Sequence, residues 1–229
     1  MEIELSHVRN DKMFSFVNCW WNPITGCLHN CTYCWARKKK KYLQDFNPHF
    51  HKGVLAHKFR PKEVVFAVSE GDIFSPMVRS SWVLAVLDVI TRNPETIFLT
   101  MTKNPVGYLG WEKMLPPNLI AGVTIESDAD LSMFSKAPTP WIRFRDFANL
   151  RHKNKLLVAE PVIDFNYETY CRMILQVMPK WFAIGYDNYD NHLPEPSREK
   201  VEKLIIDLEA HGIMVFRKTI REANPDIGI

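Results

Sequence analysis

Three cysteines, Cys27, Cys31 and Cys34, lie within eight residues at the spacing C-x3-C-x2-C. They sit in the run Trp20-Trp21-Asn22-Pro23-Ile24-Thr25-Gly26-Cys27-Leu28-His29-Asn30-Cys31-Thr32-Tyr33-Cys34-Trp35-Ala36-Arg37. Three thiolates on one short loop can face a single point, and such soft donors select zinc, copper(I) or an iron–sulfur cluster. A closed tetrahedral zinc site needs a fourth ligand. His29 is too close in the chain to complete it comfortably, and Cys171 lies far away. Cys19, His49 and His51 are the nearby candidates, but their spacing matches no familiar zinc module. Three protein ligands with one open metal position suit a catalytic centre. A [4Fe–4S] cluster held by three cysteines would leave one iron free for a substrate or cofactor. The two remaining cysteines, Cys19 and Cys171, make an odd total of five. The polar start Met1–Lys12 has no apolar leader. A secreted disulfide framework is therefore not expected, and the cytoplasm is the expected location.

Such a loop needs a scaffold, and the chain supplies one as alternating strand and helix patterns. Candidate strands are Met13–Trp20, Glu63–Val68, Thr96–Met101, Leu119–Ile125, Leu156–Ala159, Trp181–Gly185 and Ile213–Phe216. Between them, Ser197–His211 carries Val201, Leu204, Ile205 and Leu208 at the spacing of one buried helix face, with Ser197 as N-cap and Gly212 beyond the end. Ser81–Arg92 and Tyr167–Met178 read as further helices. Pro105–Leu115 reads as a shorter one, capped by Asn104 with Pro105 in its first turn. Asp128–Lys155, broken by Pro138 and Pro140, gives no clear pattern, and neither does the basic stretch Lys38–Arg60. The alternation predicts an α/β fold with parallel strands. Six or seven units in 229 residues fit an incomplete (β/α)6-type TIM barrel, with a seventh strand allowed, better than the full eight. A doubly wound sheet is the competing architecture. With no linker visible, residues 1–229 read as one domain carrying its cluster loop at 22–37.

Both architectures place function at the carboxyl ends of strands. The cysteines follow the first strand. Ser69, Glu70 and Asp72 follow the second, Thr100, Thr102 and Lys103 mark the end of the third, and Thr124 and Glu126 end the fourth. Glu160, Asp187 and Lys218 stand at the ends of the last three. Each could simply be a polar residue at a strand exit, Glu160 satisfied by Lys218 for instance. Together they describe a polar basin above an apolar barrel, which suits a charged cofactor or substrate. Glu160 and Lys218 are the candidate catalytic pair.

The cysteine segment resembles the motif of the radical S-adenosylmethionine superfamily. That resemblance implies a [4Fe–4S] cluster on Cys27, Cys31 and Cys34, with S-adenosyl-L-methionine chelated by the fourth iron and Tyr33 near the adenine. Asn22–Cys27 and Tyr33–Arg37 are similar to spore photoproduct lyase-like radical enzymes. Ser69–Phe74, Leu99–Lys103, Ala121–Glu126 and Ala159–Pro161 resemble a family of short, phage-associated radical SAM-type proteins of unassigned substrate. Val215–Lys218 fits that family more loosely. The superfamily's element for the methionine amino group would fall on Ser69-Glu70-Gly71-Asp72, and its ribose contact on Glu126, with Thr124. The implied reaction begins with one electron from an external flavodoxin- or ferredoxin-like reductant. Reductive cleavage of the cofactor then gives a 5′-deoxyadenosyl radical, which takes a hydrogen atom from the substrate. Cys171, otherwise a core residue beside Ile174 and Leu175, is the candidate hydrogen donor by analogy with the lyases.

The basic run Arg37–Lys41 reads as a solvated helix face or as a phosphate-contacting patch continued by His49, His51, Lys52, His57, Lys58 and Arg60. Trp20, Trp21, Trp35 and Tyr42 nearby would shield the cluster or stack bases. Arg143 and Arg145 would make surface salt bridges or hold a phosphate. The net charge of +3 neither demands nor excludes a polyanion. A content of 46% hydrophobic and 24% charged residues rules out disorder. The apolar run Trp82–Leu87 is far short of the roughly 18 residues of a membrane span. The expected function is radical chemistry on a nucleic acid or nucleotide. Alternatives are the same chemistry on a peptide or small metabolite, and a non-catalytic zinc or iron–sulfur module. Oligomeric state is left open.

Overall fold

A computed structural model describes residues 3–5, 14–39 and 44–223. Met13, Lys40, Lys41 and Tyr42, which figured in the expectations above, lie outside the described residues. The strands are β1 (Cys19–Trp21), β2 (Ile24–Thr25), β3 (His49–Phe50), β4 (Val64–Ala67), β5 (Ile97–Thr102), β6 (Leu119–Thr124), β7 (Lys155–Ala159), β8 (Trp181–Gly185) and β9 (Met214–Lys218). The helices are α1 (Ser80–Arg92), α2 (Val106–Trp111), α3 (Pro140–Ala148), α4 (Tyr167–Val177) and α5 (Arg198–Ala210). Seven strands form one parallel sheet in the order β1-β4-β5-β6-β7-β8-β9, while β2 and β3 make a separate antiparallel pair. Every neighbour in the large sheet is the next sheet strand along the chain. The fold is the expected incomplete α/β barrel, and the seventh strand is present.

Both faces of the sheet are apolar, so its strands read as unbroken hydrophobic runs; every residue of β7 and β8 is buried. One face packs on the helices: Val65, Phe98, Ala121, Leu157, Phe182 and Ile184 meet Val86 and Ile90 of α1, Ile174 of α4 and Leu204 of α5. On the other face Phe66, Leu99, Ile120, Leu156, Trp181 and Phe216 pack against Ile3, Leu5, Phe14, Phe16 and Val17. The Phe14 ring lies 5.8 Å from that of Phe66, and the Phe16 ring 4.6 Å from that of Phe216. The apolar stretch expected to begin the first strand instead turns back at Phe14–Val17, with Val17 N–H donating to Phe14 O at 2.9 Å, and fills the concave side. Only Cys19–Trp21 joins the sheet.

α5 is capped as the sequence indicates, Ser197 Oγ accepting from Lys200 N–H at 3.2 Å. The Pro105–Leu115 helix is shorter than expected: α2 ends at Trp111 and a 3-10 turn covers Glu112–Met114. Asn104 does not cap it; its side-chain amide donates to Phe74 O at 2.9 Å. The segment without a clear pattern holds α3, begun by Pro140 in its first turn, where the missing N–H costs nothing.

Candidate functional site

The loop after β1 and the carboxyl ends of β4 to β9 line a half-open cavity of about 610 Å³. The cysteine loop is bolted to the end of β4. Asn22 Oδ1 accepts from Ser69 Oγ at 3.1 Å and from the Glu70 amide at 3.0 Å, and Gly26 N–H donates to Glu70 O at 2.9 Å. Gly26 has φ of +85°, and a Cβ there would lie 2.0 Å from Asn47 O, so only glycine fits at the entrance to the motif. From the other side, Thr32 N–H donates to Phe134 O at 2.8 Å, and Cys31 Sγ lies 3.1 Å from Ser135 Oγ. Cys27, Cys31 and Cys34 all line the cavity.

Asp72 joins three elements. Its carboxylate lies 3.0 Å from His29 Nε2 in the cysteine loop. It also accepts from Phe74 N–H at 2.8 Å, Thr102 Oγ1 at 2.7 Å and Lys103 N–H at 2.7 Å. Burial alone would raise this carboxyl's pKa, but the hydrogen bonds from His29, Thr102 and the Lys103 amide outweigh it and hold the group below its usual value. Asp72 thus fixes the cysteine loop to the end of β5.

Glu126, just past β6, has no exposed surface. It accepts from Tyr33 Oη at 2.6 Å, from Lys103 Nζ, and from Arg143 Nη1 at 2.8 Å; the same Arg143 nitrogen donates to Thr124 O at 2.6 Å. Burial works against the carboxylate, yet Arg143 and Lys103 hold it well below the ordinary range. The Tyr33 hydroxyl is pushed well up, first by burial and then by the Glu126 charge, so it stays protonated and donating. Arg143, expected at the surface, is 1% exposed and serves this carboxylate. Arg145 is the exposed one of the two and pairs with Asp146.

Across the cavity stand Glu160, Tyr186, Asn188, Tyr189 and Lys218. Lys218 Nζ pairs with Glu160 Oε1. Asp187 is occupied by the Tyr189 and Asn191 amides. The floor is apolar: Phe14, Phe66, Met101 and Val158.

Of the residues singled out in the sequence, the cavity brings together the three motif cysteines, Tyr33, Ser69, Asp72, Thr124, Glu160 and Lys218. Glu126 lies beneath its wall, hydrogen-bonded to the lining residues Tyr33 and Lys103. Glu70 points away to Lys39 Nζ at 2.6 Å. Thr100 is fully buried behind the wall, its hydroxyl 2.9 Å from Tyr108 Oη. Cys171 sits on α4 on the helix side of the sheet, half-buried against the outer core, so the structure does not bring it to the cavity. Cys19 is in β1, also outside the lining. In the basic run, Lys39 spends its charge on Glu70 and lies 4.3 Å from the Trp35 ring, while Trp21 is buried with Nε1 donating to Val54 O at 2.8 Å. Lys103, His29 and Arg143 are each visible in the sequence, but the pairing of Lys103 and Arg143 with Glu126, and the contact of His29 with Asp72, do not follow from spacing.

The donor set fits a soft, multi-thiolate metal centre. Burial raises the Cys27 and Cys34 thiols above their ordinary values, so metal-free these sulfurs are protonated groups hidden in a cavity; a metal would displace those protons. Cys27, His29 and Asp72 also offer one ligand atom each within 4.8 Å of one another.

The fold resembles that of spore photoproduct lyase. A cysteine-to-serine mutant of that protein superposes with a TM-score of 0.65 and 10% identity over 95% of this chain and 80% of the lyase chain. A cysteine-to-alanine mutant gives 0.65 and 11% over 94% and 79%. A double mutant with bound AdoMet and dinucleoside spore photoproduct gives 0.58 and 10% over 88% and 63%, so this chain spans less than two thirds of that one's length. No curated protein matches the sequence. A family model described as "Protein of unknown function (DUF5131)" matches residues 12–163, and the chain belongs to that family.

Proposed function

We propose that this protein is a radical S-adenosylmethionine enzyme acting on a nucleic acid or nucleotide. One observation carries the reading: the three thiols of C-x3-C-x2-C open into the same cavity as Ser69, Lys103 and Thr124 at the strand ends of a half-barrel. The lyase-like fold, and the AdoMet and dinucleoside named with one of those structures, point the same way. Cys27, Cys31 and Cys34 would hold a [4Fe–4S] cluster, and S-adenosyl-L-methionine would lie toward β4 to β6. When bound, these groups supply one-electron cleavage of a carbon–sulfur bond and removal of a hydrogen atom from the substrate.

The chain's own residues do the rest. Tyr33 and Lys103 form the wall, set by Glu126. Asp72 fixes the distance between the cysteine loop and that wall. Phe14, Phe66 and Val158 keep water from the floor. The electron comes from an external flavodoxin- or ferredoxin-like carrier. No helix among the described residues is long and apolar enough to cross a membrane.

Anaerobic reconstitution with iron and sulfide tests the reading. The expected result is a brown protein that releases 5′-deoxyadenosine from S-adenosylmethionine on reduction. A colourless protein that takes up one zinc and no sulfide would overturn it. That outcome would favour a zinc module on Cys27, His29 and Asp72, the second reading that their proximity supports.

A further inference from the structure

Most charged side chains at this end of the barrel are saturated by the protein itself. Asp72 receives four hydrogen bonds, Glu126 is held by Tyr33, Lys103 and Arg143, and Asp187 is wrapped by the amides of its own loop. Glu160 and Lys218 differ. Among the described residues, each side chain has the other as its one hydrogen-bonding partner. A carboxylate has about four lone-pair sites and an ammonium three protons, so both keep unused capacity. Both line the cavity and are one-fifth exposed, so that capacity faces the chamber. As a purely structural element such a half-used ion pair is a poor stabiliser, since part of its hydration is lost without replacement.

The free capacity defines what would fill it. The occupant must offer a hydrogen-bond donor to Glu160 beside an acceptor for Lys218. A phosphate fails, because its oxygens would meet the Glu160 carboxylate. A planar ring with N–H next to C=O satisfies both groups at once. The surroundings suit a ring: Phe14 lies under Lys218, its centroid 6.0 Å from Nζ, and Val158, Tyr186 and Tyr189 line the same side.

We propose that Glu160 and Lys218 form the specificity subsite of the cavity and read a nucleobase edge that presents N–H beside a carbonyl, as in uracil, thymine or guanine. This rests on the nucleic-acid reading above and narrows it to one base-sized unit inserted opposite the cysteines. Phosphates stay at the rim, and the base edge, not the backbone, decides what reacts.

The test measures binding, with no turnover needed. Fluorescence anisotropy is recorded for single-stranded hexanucleotides of uracil and of N3-methyluracil against the reconstituted protein. The methyl group removes the N–H and leaves Glu160 facing carbon. We expect the uracil strand to bind about tenfold tighter or more, the scale of a bidentate base contact. E160Q and K218M should each erase most of that preference. Melting temperatures of E160Q and K218M separate the roles: base reading predicts loss of preference with the melting temperature little changed, while a structural role predicts that the two fall together. Equal binding of the two strands by wild type, binding of neither, or loss of preference only in step with loss of stability would overturn the proposal. The two strands are compared on wild-type protein, so the test survives a variant that fails to fold. Cluster loading and 5′-deoxyadenosine release on the same samples report on the radical reading separately. Either can fail while the other stands.

Discussion

Replacing Glu126 by Gln should destabilise the protein more than any other single polar change at the site. The substitution keeps shape and removes one charge. Arg143, 1% exposed, would then be a cation buried beside a neutral amide, and Lys103 would lose its anion. Breaking a buried pair by removing one partner costs about 3–5 kcal/mol. No surface-screening discount applies to Arg143 and Glu126, which are both buried. In a chain of this size each kcal/mol moves Tm by about 2–4 °C, so a drop of roughly 6–20 °C is expected. Urea unfolding of the metal-free protein at pH 7 measures the same difference. The pH dependence carries the sign. Glu126 has a folded pKa depressed below its unfolded value of about 4.3, so its contribution is fully present above that value and fades as pH falls through the folded pKa. The gap between wild type and E126Q should therefore be constant from neutral pH to about pH 5 and shrink in stronger acid. A second change, R143M, should recover part of the loss, because it removes the stranded charge. A loss under about 1 kcal/mol, or a gap that widens in acid, would refute the claim that Glu126 is an internal counter-ion of the wall.

Three further outcomes are expected. Each of C27S, C31S and C34S should abolish cluster loading in iron and sulfide analysis, while C19S leaves it intact. C171A should change neither loading nor 5′-deoxyadenosine release, because Cys171 faces the helix layer; loss of either would show that this part of α4 reaches the site. G26A should fail to load iron, since its backbone lies at φ of +85° and its Cβ would meet Asn47 O at 2.0 Å; a fully loaded G26A would show that this loop yields easily.

The strands were legible because both faces of a parallel sheet are buried, which leaves runs such as Leu156–Ala159 with no polar interruption. The cysteines were legible because their spacing is local. What stayed hidden was non-local. Phe14–Val17 has the composition of a strand, and nothing in its pattern separates pairing with a sheet from filling its concave side. α3 buries Pro140, Arg143, Asp146 and Phe147, so its inner face carries polar residues where periodicity searches for apolar ones. The same fact hid the inward role of Arg143, which depends on a carboxylate 17 residues away. Thr100 and Thr102 sit two apart on one strand and so point to the same side by pattern. Their fates differ because Tyr108 takes the first hydroxyl and Asp72 the second.

The strand order has a consequence for synthesis. Each sheet strand can dock as it leaves the ribosome, beside the one made just before it. The segment around Phe14 and Phe16 is the exception: it is made early, yet Phe16 meets its partner Phe216 only when β9 has been added. The barrel thus assembles in order, while the packing of Phe16 on the concave side is completed last.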